Sequence, residues 1–482
     1  MKRSHSVARG PKPATRGRQA TAAGPQAPPL RAGQKATLRF RAFNQAGSGV
    51  AAHGAQTVAV PFALPGEEAV VEIMEATRLH ADGRIVALLR KSRGVVDPRC
   101  RHFGRCGGCQ WQHLPYAAQL AAKTRLIQDM LAAAFPGRVL VREAVGSSPW
   151  EYRSRLQAVL AVRRDRTVAG YSGVGDRTII NVQECPIQHP ANVRMLRVAR
   201  EIITSLGWPI YDQETRRGLL RGLILQTGVE TGEGMLVLCA TGDVPDRMAF
   251  VRAAIERLPD LRSILLSVRA PRTAELLGRI ELLWGRPSIV DVIAGLRLQL
   301  YPAPAVPPNP RAVPTYLDAI RRAVGPATTA VDAACEEGLV PIALAVGPSN
   351  GPGVGMNRVV GIAPDREAMH RAWENARANG AAGCAFYTRD AVGIIAKLRS
   401  RGEAFDALLV SGRGGVVTPP MAAAAAGAGY RRIVYAGASA TRFLDTVHSA
   451  ATAGYRLTDV QPVDLLPQTS RVHLVAALTK DA

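Results

Sequence analysis

The sequence predicts a multidomain α/β protein in three successive parts: a small N-terminal β-barrel, a central α/β domain and a C-terminal doubly wound parallel sheet. Three observations predict it. The chain has 482 residues, enough for two to four cores. Short alternating segments separated by Gly- and Pro-containing turns run from Ala36 to Arg90. Beyond a Pro-rich break from Tyr301 to Pro314, apolar strand-like runs alternate with helical stretches, as in linked strand–helix–strand units. No internal repeat is visible.

The elements follow in order. Residues 1–30 are rich in Pro, Gly, Ala and Arg and nearly lack large apolar residues, so a disordered basic tail is expected. No acidic residue precedes Glu67, whereas Lys2, Arg3, Arg9, Lys12, Arg16, Arg18, Arg31, Lys35, Arg39 and Arg41 do. The formal net charge is +23. Such a field attracts polyanions, so nucleic acid is the expected partner. In residues 31–93, "ATLRFRAF", "GSGVAA", "QTVAVPF", "EAVVEIM" and "RIVALLR" predict four or five short strands, with a turn at Leu64-Pro65-Gly66. In residues 94–298, "YAAQLAAKTRLIQDMLAAAF" predicts an amphipathic helix. Leu120, Ile127, Met130 and Leu131 share one face, and Lys123 and Arg125 lie off it. "RLQAVLAVRR", "GLILQTG", "GMLVLCATG" and "SILLSVR" follow as strands. In residues 299–482 the strands are "TAVDAAC", "RVVGIAP", "AFDALLV", "RRIVYAG" and "RVHLVAAL".

Some classes are excluded. No apolar run is long enough to cross a bilayer, so no membrane partner is expected. The basic N-terminus lacks an apolar segment of the secretory type. Seven cysteines, an odd number without such a signal, point to a reducing cytoplasm rather than a disulfide framework.

Four of those cysteines form a pattern. Cys100, Cys106 and Cys109 are local, with Gly107 and Gly108 allowing a tight bend, and Cys185 follows far downstream in "QECPI". Three ligands plus one distant ligand suits a [4Fe–4S] cluster. Zinc is the rival, but zinc sites usually come as two short-spaced pairs. Unligated buried cysteines are the third reading.

"DPRCRHFGRCGGCQWQHLPYAAQLAAK" resembles the iron–sulfur segment of the bacterial RNA uracil-C5 methyltransferases, which make 5-methyluridine in ribosomal and transfer RNA. "PWEYRSR", "ECPIQ", "RGLLRGLILQTG" and "VDLLPQTSRVHLVAAL" resemble further tracts of that family. The resemblance covers about residues 33 to 480. It implies an OB-like TRAM domain at 31–93, a central iron–sulfur domain at 94–298 and a Rossmann-like SAM-methyltransferase domain at 299–482. It also implies an RNA partner, rRNA or tRNA, and a monomer. Lys35, Arg39, Arg41, Arg99, Arg101 and Arg105 are the candidate phosphate contacts, against the plain reading of solvated surface.

The resemblance also implies chemistry that these residues do not repeat. C5 methylation needs a soft nucleophile to attack C6 of uracil, and a thiolate suits that step. The cysteine position of the family falls on Ala438 in "VYAGAS", with Ser439 the nearest heteroatom. A hydroxyl without an activating base is a poor substitute. The position of the proton-abstracting glutamate is His473, for which a structural or surface role is expected. Of the SAM site, Asp332 and Gly338 are kept, while Glu336 stands for the first loop glycine. Ala363 ends the second strand where an acid should hold the ribose. Pro307 stands for a glutamine beside Asn309, and Ser411 for an aspartate before Arg413. The reading is an RNA-binding member that has lost catalysis, with SAM binding doubtful. Its rivals are an active SAM-dependent enzyme with relocated groups and a redox-sensing nucleic-acid binder.

Overall fold

The structure is a computed structural model that describes residues 28–480 apart from 136, 138, 176–177, 271–274, 304–305 and 349–354. Residues 1–27 of the expected basic tail therefore lie outside the described residues.

The N-terminal region forms six strands: β1 (Lys35–Arg39), β2 (Ala42–Phe43), β3 (Gly49–His53), β4 (Gln56–Val60), β5 (Glu68–Ala76) and β6 (His80–Arg90). Their order is β1-β5-β6-β4-β3-β2. The chain bends at Phe40. Before the bend β1 pairs with β5, and after it Arg41 donates to Val50 and β2 pairs with β3. One bent strand thus serves both edges of this curved, half-barrel sheet. Alternation supplies the core: Val58, Val60, Val71 and Ile73 point in, and their neighbours are more exposed.

The central region holds α1 (Tyr116–Ala134), β7 (Leu140–Val141), β8 (Arg155–Arg163), β9 (Arg166–Ser172), β10 (Ile179–Asn181), α2 (Pro190–Ser205), β11 (Leu220–Thr227), β12 (Gly234–Ala240), α3 (Arg247–Arg257), β13 (Leu261–Val268) and β14 (Arg279–Gly285). Seven strands pair as β10-β9-β8-β11-β12-β13-β14. β12 and β13 are parallel because α3 carries the chain back across the sheet. β11 and β12 are buried on both faces. Leu223, Leu225, Leu236 and Leu238 face α2 and α3, whereas Ile224, Met235, Val237 and Cys239 face the C-terminal region. Fully burying a side chain of this size is worth about 1.5–3 kcal/mol. A sheet used on both sides therefore fastens its neighbours strongly.

A hairpin follows, β15 (Ile289–Ile293) and β16 (Leu296–Leu300), with Ala294 and Gly295 both at positive φ in its turn. The boundary expected between residues 298 and 299 falls inside β16. The remaining elements are α4 (Val313–Val324), β17 (Thr329–Asp332), α5 (Leu339–Val346), β18 (Arg358–Ile362), α6 (Arg366–Ala378), β19 (Cys384–Tyr387), α7 (Ala391–Ser400), β20 (Ala407–Val410), α8 (Pro419–Gly427), β21 (Arg432–Gly437), α9 (Ala440–Thr452), β22 (Arg456–Val463) and β23 (His473–Thr479). The sheet order is β19-β18-β17-β20-β21-β23-β22-β7. β17 to β21 are mutually parallel and β23 is antiparallel to both neighbours. Successive residues of a strand enter opposite cores. Ala407, Leu409, Val434 and Ala436 pack on the α4–α6 side, and Leu408, Val410, Ile433 and Tyr435 on the α7–α9 side. Among the described residues no helix is long and apolar enough to cross a membrane.

One expectation is corrected here. α1 and β7 fall within residues 94–298, yet Ile127 and Leu131 pack into the α7–α9 core and β7 extends the C-terminal sheet beside β22. Lys123 was placed off the buried face. It is fully buried, and its Nζ lies 2.6 Å from Asp464 Oδ1. Gln119, Lys123, Ile127 and Leu131 make one stripe of α1, so the amphipathic pattern misread a cation that has a partner from another region.

Candidate functional site

The segment 464–470 knits the regions together. Asp464 accepts from Lys123 and from the Tyr116 hydroxyl at 3.0 Å. Gln468 is held in the left-handed region at φ 69°, and it exchanges bonds of 2.9 Å with Gln119 in both directions. Its carbonyl accepts from the backbone N–H groups of Gln110 and Trp111. Tyr152 donates to Pro467, and Ser470 donates to Gln45 in the barrel. Trp111 Nε1 donates to Gly47. The barrel, the cysteine segment, the central sheet and the C-terminal sheet therefore meet at one loop.

Beside this junction lies a cleft of about 770 Å³. The cysteine segment contributes Gly107, Gly108 and Gln110, and the central sheet Arg153, Arg155, Gln157 and Tyr171. Pro307 comes from the Pro-rich break, Glu336 from the loop after β17, and Ser411 and Arg413 from the loop after β20. Ala438 and Ser439 follow β21, and Arg471 and His473 precede or open β23. These loops sit together because parallel strands end on one side of the sheet, where ligand clefts form. Pro307, Glu336, Ser411, Ala438 and His473, all singled out in the sequence, share this one space.

Each has a definite state. Glu336 has φ 49°, a left-handed conformation that glycine adopts more readily than glutamate. Its carboxylate accepts from the Arg413 backbone N–H at 2.9 Å and from Arg413 Nε at 3.2 Å. Ser439 caps α9 by accepting from the Arg442 N–H. Its hydroxyl is committed to the helix, and Ala438 offers no heteroatom. Cys335 borders the cleft but is buried. Burial first, and then the charge of Asp332, raises its thiol well above the ordinary range, which keeps it protonated. His473, expected to have a structural or surface role, lines the cleft. Its Nδ1 is buried without a hydrogen-bond partner, and its ring meets Tyr316 edge-on at 5.7 Å. Burial, then Lys123 and Arg471, lowers its pKa to about 4, so the ring is neutral at pH 7.

Asp332 and Gly338, the retained candidates for SAM, lie beneath the cleft rather than on its wall. Asp332 is fully buried and accepts from the Ser411 hydroxyl, from Ser411 N–H and from Ala334 N–H. Burial raises its pKa to about 6. Gly338, at φ 86°, begins α5, where a Cβ would come within 3.1 Å of the Phe386 ring. Ala363 is buried at the end of β18. Asn309 is buried, and its Nδ2 donates to Ser147.

The four candidate ligand cysteines share a neighbourhood. Cys109 and Cys185 pack with Tyr152 and Ile187, and Gly107 N–H bonds Ser172 while Cys106 bridges to Gly173. All four thiols are unpaired. Cys109 is pushed up to about 12 and Cys185 to about 11, by burial first and partly by the charges of the others. Even so, among the described residues no three or more of His, Cys, Asp and Glu are grouped so as to hold a metal ion.

The expected phosphate contacts divide. Lys35, Arg39, Arg41 and Arg105 are exposed. Arg99 stacks over Trp150 at 4.8 Å. Arg101 is already held by Glu184 at 3.1 Å and by Gln183. The sequence reading missed Arg153 and Arg155, which face the cleft, and the Lys123–Asp464 pair. "PWEYRSR" and "VDLLPQTS" contained the signal, but only as tracts of resemblance.

No protein-family model matches the chain. A relative in Halalkalibacterium halodurans, described as an uncharacterized RNA methyltransferase, is 30% identical over 440 residues, covering 90% of this chain and 94% of its own. One of the same description in Caldanaerobacter subterraneus is 29% identical over 454 residues, covering 94% and 99%. Among solved structures, the Pyrococcus abyssi tRNA (uracil-54, C5)-methyltransferase in complex with S-adenosyl-L-homocysteine superposes with a TM-score of 0.72 at 22% identity, covering 92% of this chain and all of that one. With a cleft at the strand ends and relatives matched nearly end to end, this chain belongs to the RNA methyltransferase family.

Proposed function

We propose that this protein is an RNA-binding member of the family, acting on rRNA or tRNA, that does not transfer a methyl group to uracil C5 by the thiolate route. The observation that carries this is the lining of the cleft. Ala438 stands where the nucleophile is expected, Ser439 is spent on a helix cap, and Cys335 is buried and protonated. The uracil-C5 assignment draws support from the tRNA methyltransferase that shares the fold. We assign residues 31–93 to a TRAM domain, the region from 94 to the β15–β16 hairpin to a central iron–sulfur domain that lends α1 and β7 to the C-terminal sheet, and the rest of the chain to a Rossmann-like domain. Lys35, Arg39, Arg41, Arg99 and Arg105 serve as phosphate contacts.

SAM is the cofactor class supported by the neighbour's bound S-adenosyl-L-homocysteine, and the volume of the cleft is ample for it. The residues here fit it poorly: Asp332 is turned to Ser411, Ala363 offers no acid for a ribose, and Glu336 fills the glycine position. For the cluster, the donor set is chemically suitable, with four thiols free of disulfides. Cys100, Cys106, Cys109 and Cys185 are the ligands we assign to [4Fe–4S], which would brace the junction beside Tyr152.

The test uses anaerobically purified protein. Iron and sulfide are quantified, SAM is titrated by calorimetry, and rRNA and tRNA are incubated with protein and SAM. Bound iron and sulfide, RNA binding that falls with salt, and no 5-methyluridine are expected. Formation of 5-methyluridine would overturn the catalytic reading, and zinc in place of iron would overturn the cluster.

A further inference from the structure

The candidate ligand cysteines are ringed by hydrogen-bond donors. Cys106 Sγ accepts from the Gly108 N–H at 3.4 Å, and Cys185 Sγ accepts from the N–H groups of Ile187 and Gln188. The Gln112 side chain donates to Cys109 and accepts from the Cys100 N–H at 3.0 Å. Donors turned toward sulfur favour its negatively charged form. Arg153 joins this ring from the central region. Its N–H donates to the Ile187 carbonyl at 2.9 Å and its backbone bridges to Gln188, the two residues that donate to Cys185. Neighbouring Tyr152 packs with Ile187, Cys109 and Cys185. Arg153 is half-buried as a residue, but its Nε is fully shielded and has no hydrogen-bond partner. Shielded donors usually have a partner. Burial would lower this guanidinium. Tyr171 and Tyr152, and then the Cys185 and Cys109 thiols, raise it instead, so the cation is within electrostatic reach of the sulfurs.

We propose that Arg153 is the shielded counter-charge of the cysteine nest, a fixed cation that favours the reduced, more negative state of a cluster held there; this rests on the reading of Cys100, Cys106, Cys109 and Cys185 as [4Fe–4S] ligands. Net charge and hydrogen bonds to the sulfurs set the reduction potential of such a centre. Arginine suits the place because its guanidinium stays protonated and is weakly hydrated, so it tolerates burial better than an ammonium. Arg101, next to Cys100 in the chain, gives the contrast. Its side chain is 52% exposed and is held by Glu184, so water and a carboxylate both screen it.

The experiment uses the full-length protein purified anaerobically. Iron and sulfide are quantified, and the midpoint potential is read by electron paramagnetic resonance during dithionite titration. Arg153→Gln removes the charge and keeps a polar side chain. It is expected to shift the equilibrium about tenfold toward the oxidised cluster, a midpoint about 59 mV lower for a one-electron couple. Arg153→Lys keeps the charge and should recover most of that shift. Arg101→Gln should shift the equilibrium less than about threefold, because an exposed charge is screened. An unchanged potential in Arg153→Gln, an equal shift in Arg153→Lys, or a larger shift in Arg101→Gln would each overturn the proposal. Loss of iron from Arg153→Gln alone supports it, since the cation is then needed to hold the cluster. Loss of iron from both Arg153 variants overturns it, since packing rather than charge then decides. Wild-type protein without iron and sulfide overturns the cluster reading beneath it.

Discussion

Two ion pairs separate the junction from the cleft. Lys123–Asp464 is 2.6 Å long with both side chains fully buried. Glu336–Arg413 is 3.2 Å long, with its side chains 29% and 65% exposed. The first is surrounded by further bonds from Tyr116, Leu466 and Ser147 and cannot be loosened without stranding a charge. The second is screened by water and can open. The molecule thus places its costly electrostatics where the regions meet, and leaves the pocket held by contacts that a ligand can replace.

The largest expected effect tests the junction. Lys123→Ala leaves Asp464 buried without its counter-charge and should cost about 3–5 kcal/mol in urea unfolding. The double variant Lys123→Met with Asp464→Leu should recover most of that loss. A loss under about 1 kcal/mol for the single variant would remove the contrast between the two pairs. Gln119→Ala comes next. It strips partners from both ends of Gln468, and a loss of about 2–3 kcal/mol is expected.

A pH experiment probes the wall of the cleft. The His473 pKa is lowered from 6.5 to about 4, so the unfolded chain binds the extra proton first. Its stabilisation is present above pH 6.5 and is lost as pH falls toward 4, on the order of 3 kcal/mol. Asp332 works in the opposite sense. Its pKa is raised to about 6, so its contribution is present below pH 3.8 and lost as pH rises through 6. The difference between wild type and His473→Gln isolates the histidine, and parallel stability curves between pH 4 and 6.5 would place His473 outside the buried wall.

The smallest effect belongs to the exposed pair. Glu336→Gly gives up the Arg413 contact but relieves a left-handed non-glycine residue, and should change stability by no more than about 1 kcal/mol in either direction. A loss as large as that of Lys123→Ala would make the cleft pair as structural as the junction.

Local patterning determined much of this protein. Alternation in "QTVAV" and "EAVVEI" marked barrel strands, and the helix–strand rhythm after Pro314 marked the parallel sheet, because a side-chain period is written in consecutive residues. The replaced positions Glu336, Ser411, Ala438 and His473 were also readable, and they do meet in one cleft. What remained hidden were partnerships across the chain. Lys123 reads as a surface residue until Asp464, hundreds of residues away, is brought to it. Arg153 and Arg155 read as strand cations until the fold buries their Nε groups without partners at the edge of a cleft, and the bent strand β1–β2 runs along both edges of a sheet whose sixth strand spacing alone did not predict. Burial and pairing are properties of neighbours in space, so only tertiary structure could decide them.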